Sequence, residues 1–174
     1  MAMNKDKQDI VGEEDRLWLA EHGYLVTAMD GPECLACTDL LEPVTLQDGE
    51  VLFEEGEPDD QLFIIHRGTV EMGQISNPRG WVNFGAYGSV YLEDTDVGTP
   101  VWLKRARLQE GDCAGELGFV VGAPHAMTAR AKGEVQVYRL NAENIKTLAA
   151  RSTSFCQCMD TALAKTQQKI AAAA

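Results

Sequence analysis

The run Gly111-Asp-Cys-Ala-Gly-Glu-Leu-Gly-Phe-Val-Val-Gly-Ala-Pro-His-Ala-Met-Thr-Ala-Arg-Ala131 decides how this chain is read. Chemically it has the parts of a small anion cradle. Gly115 and Gly118 flank Glu116-Leu117, so the backbone can turn tightly and aim several N–H groups at one point. The apolar run Phe119-Val120-Val121 leads to a turn at Gly122-Ala-Pro124, and Ala126 to Ala131 reads as a strand. If His125 points into the cradle, so do Met127, Ala129 and Ala131, because strand side chains alternate; Arg130 then points away.

Gly115-Glu116-Leu117 through Pro124-His125-Ala126 resembles the phosphate-binding cassette of the cyclic nucleotide-binding domains. The resemblance runs from about residue 40 to residue 165, with Val44 to Met72, punctuated by Gly49, Gly56 and Gly68, matching the front half in order and spacing. It implies a mainly β fold, an antiparallel jelly-roll (double-stranded β-helix) barrel with flanking N- and C-terminal helices. It also implies ligand-binding roles for Gly115, Glu116, Leu117, Gly118, His125, Ala126 and Met127. Glu116 would take a ribose hydroxyl, and the amides of Leu117, Gly118 and Ala126 would face a phosphate. The implied ligand is a cyclic nucleotide, cAMP or cGMP, or another phosphorylated ligand.

One position departs from that pattern. Where the family has a phosphate-pairing Arg, this chain has His125. Arg offers a permanent charge on a rigid fork of donors, whereas neutral imidazole offers one donor and no charge. An unpaired Glu116 would repel a phosphate at close range, so the sequence predicts a Glu116–His125 pair with a raised histidine pKa. The resulting expectation is weak or altered nucleotide affinity.

The 174 residues suffice for one domain with a real core, and the balance of 15 basic against 27 acidic residues gives a net charge of −12. Such a chain is repelled by nucleic acid and by anionic membrane surfaces. With no membrane-length apolar run and no signal-peptide pattern at the start, the expectation is a cytoplasmic protein without nucleic-acid or membrane partners. Asp48 to Asp60 holds seven acids and no base, which reads as a solvated acidic edge because EF-hand spacing is missing. The five cysteines include Cys34-Leu-Ala-Cys37 and Cys156-Gln-Cys158, with Cys113 beside the cassette. No third and fourth ligand follow at zinc-like spacing, so they read as free thiols and no metal is expected.

In chain order, residues 1–40 form an N-terminal helical segment, 41–140 the barrel and 141–174 C-terminal helices. Glu13 to His22 reads as a helix ended by Gly23, Tyr24 to Met29 as a short strand or extended link, and Glu33 to Leu41 as a second helix. Residues 76–103 form an extended hairpin insertion carrying Trp81, Phe84, Tyr87, Tyr91 and Trp102, with two extra strands around Gly85–Ser89. Its rings either present a partner-binding surface or bury themselves. Asn141 and Ser152 are placed to cap the helices Ala142–Ala150 and Thr153–Ala174, the second with Phe155, Met159, Leu163 and Ile170 at helical spacing.

Hydrolase triads, paired catalytic carboxylates and HExxH are missing, and three scattered histidines do not make a cupin-like metal enzyme. The chain therefore reads as a non-enzymatic regulatory module in signal transduction that passes its signal to a protein partner. A homodimer through the C-terminal helix is one assembly the family resemblance implies. The alternative is a degenerate domain that binds no nucleotide and acts as a protein-interaction module.

Overall fold

The computed structural model describes residues 11–173 except 24, 28, 59, 77–79, 84–88 and 93–100. Residues 1–12 read from sequence as a polar, frayed start; residues 1–10 lie outside the described residues, whereas Val11 is buried in the helix-facing core and Gly12 caps the first helix, so the start is anchored by that point. Two short helices come first, α1 (Glu13–His22) and α2 (Gly31–Thr38). The first carries Glu13, Glu14 and Asp15 in its opening turn, where the helix dipole favours acids. The second starts two residues earlier than expected. Asp30 accepts from the Glu33 amide at 2.9 Å, and Pro32 falls in the first turn, where its missing N–H costs nothing.

Between them a short strand or extended link is expected over Tyr24 to Met29; Leu25 to Thr27 form a turn instead, and residues 24 and 28 lie outside the described residues. The amides of Val26 and Thr27 both bond the Gly23 carbonyl, at 2.9 and 3.0 Å. Leu25 and Val26 are apolar because this turn is buried.

The barrel follows as β1 (Glu42–Leu46), β2 (Val51–Phe53), β3 (Gln61–Ser76), β4 (Gly80–Asn83), β5 (Ser89–Leu92), β6 (Val101–Leu108), β7 (Cys113–Ala114) and β8 (Thr128–Asn141). One antiparallel sheet runs β1-β8-β3-β6, with β2 added on β8 and β7 on β3. This is the expected mainly β, jelly-roll barrel with flanking helices. The two extra strands of the insertion are present as the β4–β5 hairpin, in register from Gly80↔Leu92 to Asn83↔Ser89. The readings of the rings of Trp81, Phe84, Tyr87 and Tyr91 concern side chains outside those described.

Alternation along the two long strands builds two cores. Leu62 and Ile64 of β3, with Tyr138 and Leu140 of β8, face the helices; Phe63 and Ile65, with Val135 and Val137, face the barrel interior. Both faces are buried at this end, so four consecutive apolar residues are needed in β3. At about 1.5–3 kcal/mol for each fully buried large aliphatic side chain, these strands carry much of the stability. Gly68, at φ 92°, lets β3 pass β8, since a Cβ there would lie 2.6 Å from the Glu134 carbonyl.

A six-residue helix, α3 (Glu116–Val121), bridges β7 and β8, and α4 (Ala142–Arg151) and α5 (Thr153–Ala173) close the chain. Both predicted caps are made. Asn141 accepts from the Asn144 amide at 3.0 Å, and the Ser152 hydroxyl accepts from Phe155 at 2.9 Å. Phe155, Met159, Leu163 and Ile170 are all buried, and Ile170 reaches the barrel core. The apolar stripe of α5 thus packs on its own barrel. No helix among the described residues is long and apolar enough to cross a membrane.

Candidate functional site

The quoted glycines do the work their spacing predicts. Gly115 takes φ 91° and Gly122 φ 68°, so each end of α3 turns through the left-handed region that only glycine enters cheaply. Helix α3 thereby presents Glu116 and Leu117 inward and leaves Val120 and Val121 exposed.

The opposite wall is the start of β8, held by the acidic loop after β2. The Gly56 amide bonds the His125 carbonyl at 2.8 Å, and the His125 amide bonds the Glu57 carbonyl at 3.0 Å. The imidazole lies flat on Phe53, centroids 3.8 Å apart and planes 9° apart. Burial lowers its pKa from the usual 6.5 to about 4, with Glu57 and Asp60 pulling the other way. His125 is therefore neutral at physiological pH. Buried Gln74 ties the loop after β2 to the segment before β8, donating to Glu55 at 2.8 Å and to the Ala126 carbonyl at 2.9 Å.

Glu116 faces elsewhere. It is 1% exposed and lies against Thr166 of α5, whose hydroxyl donates to the Ala162 carbonyl at 3.2 Å, and its Oε1 has no partner among the described residues. Burial pushes its pKa from 4.5 up to about 7, with Asp112 adding to the rise and Thr166 and its own backbone opposing it. Close by, Lys169 of α5 reaches Asp112 at 2.7 Å, an oxygen that also accepts from the Gln109 amide at 2.7 Å.

The expected Glu116–His125 pair and its raised histidine pKa are therefore corrected. Each group is buried among different neighbours: Glu116 turns to α5, while His125 stacks on Phe53 and is desolvated. Of the seven predicted site residues, Gly115, Leu117, His125, Ala126 and Met127 line one cavity of about 10 Å³, with Phe53 and Met72. Gly118 lines a separate cleft of about 540 Å³ between α3, α4 and α5, with Phe119, Ile145 and Met159. Met127, Ala129 and Ala131 point into the barrel as alternation predicted; Arg130 points out, its guanidinium 3.8 Å from the Trp102 ring centroid.

The sequence reading missed Phe53, which lies 72 residues from His125 along the chain. It also missed Gln74 and the contacts of Thr166 and Lys169. Nothing local in the sequence marks them, since each meets the cassette only through the fold.

The cysteines converge more than their spacing suggested. Cys37, Cys113 and Cys158 are buried in the helix-facing core, and Cys34 packs against it. Burial pushes the Cys37 thiol up to about 12 and Cys113 well above its usual value, so both stay protonated. Among the described residues no group of three or more His, Cys, Asp or Glu is placed to hold a metal ion.

A double-pairing jelly roll with a glycine-flanked helix between β7 and β8 has the fold of the cyclic nucleotide-binding domains. The comparisons agree. The chain is similar to the cAMP-dependent protein kinase regulatory subunit of Dictyostelium discoideum, 27% identical over 120 residues, 69% of this chain and 31% of that one. The regulatory domain of Toxoplasma gondii PKA, solved with cAMP, superposes with a TM-score of 0.62 at 22% identity, covering 88% of this chain and 48% of that one. The regulatory subunit of a cAMP-independent protein kinase A from Trypanosoma cruzi, bound to guanosine, gives 0.62 at 24% identity, covering 85% and 44%. The chain spans about a third of the curated relative and about half of the solved ones. No protein-family model matches it.

Proposed function

We propose that this chain is a non-catalytic regulatory module of the cyclic nucleotide-binding type whose cassette has weak or altered affinity for cyclic nucleotides. The observation that carries the reading is the state of His125. It is neutral, stacked on Phe53, and subject to the fields of Glu57 and Asp60. Among the described residues no Lys or Arg lines the cavity it shares with Gly115 and Leu117. Losing a buried charge-assisted contact costs about 2–5 kcal/mol, roughly thirty- to several-thousand-fold in affinity. A cradle of this kind suits an uncharged planar ligand better than a phosphate, and the Trypanosoma cruzi neighbour, bound to guanosine, is one precedent for this fold. The ligand signal then passes to a protein partner.

A second reading has its own support. A cavity of about 10 Å³ holds no nucleoside until Phe53, His125 or Met72 moves. That favours a degenerate domain acting through protein contacts. Calorimetric titration of the protein and of His125→Arg with cAMP, cGMP and guanosine separates the two. Guanosine binding above that of both cyclic nucleotides, with His125→Arg shifting preference toward cAMP or cGMP, supports an altered ligand site. Tight cAMP binding by the unmodified chain refutes the first reading, and no binding by either protein favours the second.

A further inference from the structure

Charge is unevenly distributed over this barrel. Strands β3, β6 and β8 hold seven of the chain's fifteen Lys and Arg residues but only two of its twenty-seven acids, Glu71 and Glu134. Register puts four of the seven on one face. Arg107 and Arg130 stand on either side of Glu71, Lys104 is opposite Gly73, and Lys132 is opposite Thr69. Residues 69, 71 and 73 of β3 share a face, so the four cations do too. Their heads are accessible, with the Arg107 side chain half exposed and Lys104 and Lys132 exposed.

This face is also pre-arranged. Glu71 is buried and draws Arg107 to 3.5 Å and Arg130 to 3.6 Å. Arg130 is further fixed over the Trp102 ring at 3.8 Å, and Ile75, paired with Trp102, is 70% exposed. Holding both guanidinium groups in place removes much of the side-chain entropy that a surface charge contact otherwise loses.

We propose that the outer face of β3, β6 and β8 is a docking surface for a short acidic polypeptide segment of a protein partner. Charge complementarity favours carboxylates, and the Trp102–Ile75 end offers an apolar anchor beside them. The rim sets the length. Asp48 accepts from the Gly133 amide at 2.6 Å, beside Lys132, and the Glu55 amide bonds Thr128 at 3.0 Å, beside Gly73. A long polyanion such as nucleic acid would run from the basic face onto these acids and be repelled. A segment of about four to six residues, some 14–20 Å when extended, fits within the patch.

The test uses the whole chain and a fluorescein-labelled hexaglutamate peptide, read by anisotropy at about 50 mM salt. Saturable binding is expected, weakened at least tenfold by about 300 mM salt and by Arg107→Glu with Lys132→Glu. The control pair Lys146→Glu with Arg151→Glu changes net charge equally on α4 and should retain binding. Should the first pair fail to fold by circular dichroism, Arg107→Gln with Lys132→Gln replaces it, with the same loss expected. The proposal is overturned by no peptide binding, by equal losses in both pairs, or by tighter binding of a hexathymidylate. It is also overturned if the chain dimerises at low salt through this face and excludes the peptide.

Discussion

Replacing Glu116 by Gln tests the site at its most heavily buried charge. Glu116 is 1% exposed, and burial takes its carboxyl from the usual 4.5 to about 7. At about 1.4 kcal/mol for each pH unit, that rise makes the ionised form cost up to about 3 kcal/mol. The folded chain keeps a proton that the unfolded chain releases between pH 4.5 and about 7. This contribution is therefore fully present below pH 4.5 and is lost as pH rises through 7. His125 acts in the opposite sense, because its folded pKa is lowered to about 4 from 6.5. Its contribution is present above pH 6.5 and lost as pH falls toward 4. The two slopes partly cancel in the unmodified chain.

Gln keeps the shape of Glu116 but cannot ionise. Relative to the unmodified chain, Glu116→Gln should be nearly neutral at about pH 5 and more stable by about 2–3 kcal/mol at about pH 8. Urea unfolding followed by tryptophan fluorescence at both pH values measures the difference. All other titrating groups are common to the two proteins, so they drop out. A stability difference that does not change with pH, or a variant that is weaker at the higher pH, would show that Glu116 is not held as an uncharged buried acid.

Three further outcomes follow from single residues. His125 should show no imidazole titration by NMR between pH 8 and about 5, and an apparent pKa near 6.5 would mean that it is not desolvated on Phe53. Gly68→Ala combines positive φ with a Cβ at 2.6 Å from the Glu134 carbonyl, so it should lower stability by about 2 kcal/mol or more; a melting temperature unchanged from the parent would contradict that geometry. Phe155→Ala empties a fully buried position where α5 meets the helix-facing core and should cost about 3–5 kcal/mol by denaturant unfolding, against less than about 1 kcal/mol if α5 is only loosely docked.

What could be read in the sequence was local. Gly115, Gly122 and Gly68 announce left-handed backbone, Asn141 and Ser152 announce helix starts, and the alternation Met127-Thr-Ala-Arg-Ala131 sends Arg130 outward. What could not be read depends on distant partners. The Glu116–His125 pair was a fair inference from charge alone, but Phe53 and Thr166 reach those two side chains first, and neither is near them in sequence. The same holds for Leu25 and Val26, whose apolar character suggests a short strand or extended link. They are apolar because a turn is buried, and periodicity over six residues does not separate those cases. In the cysteines, spacing showed Cys34 and Cys37 together, while only the fold adds Cys113 and Cys158.

Strand β8 holds one further consequence, for the order in which the chain folds. It is the partner of β1, β2 and β3 at once, and its Arg139 meets Glu42 across 97 residues. Before β8 docks, β1 and β2 have no strand to bond, so the front of the barrel has nothing to assemble on. Helices α1, α4 and α5 can flicker into being within microseconds, whereas closing contacts of this span belongs to the slow, millisecond-to-second regime of β topologies. The strand that begins at the floor of the cassette thereby sets the pace of folding. Substitutions in β8 should slow refolding more than equally destabilising ones in α1 or α4, so the residues framing the cradle also govern how long the chain remains exposed to aggregation.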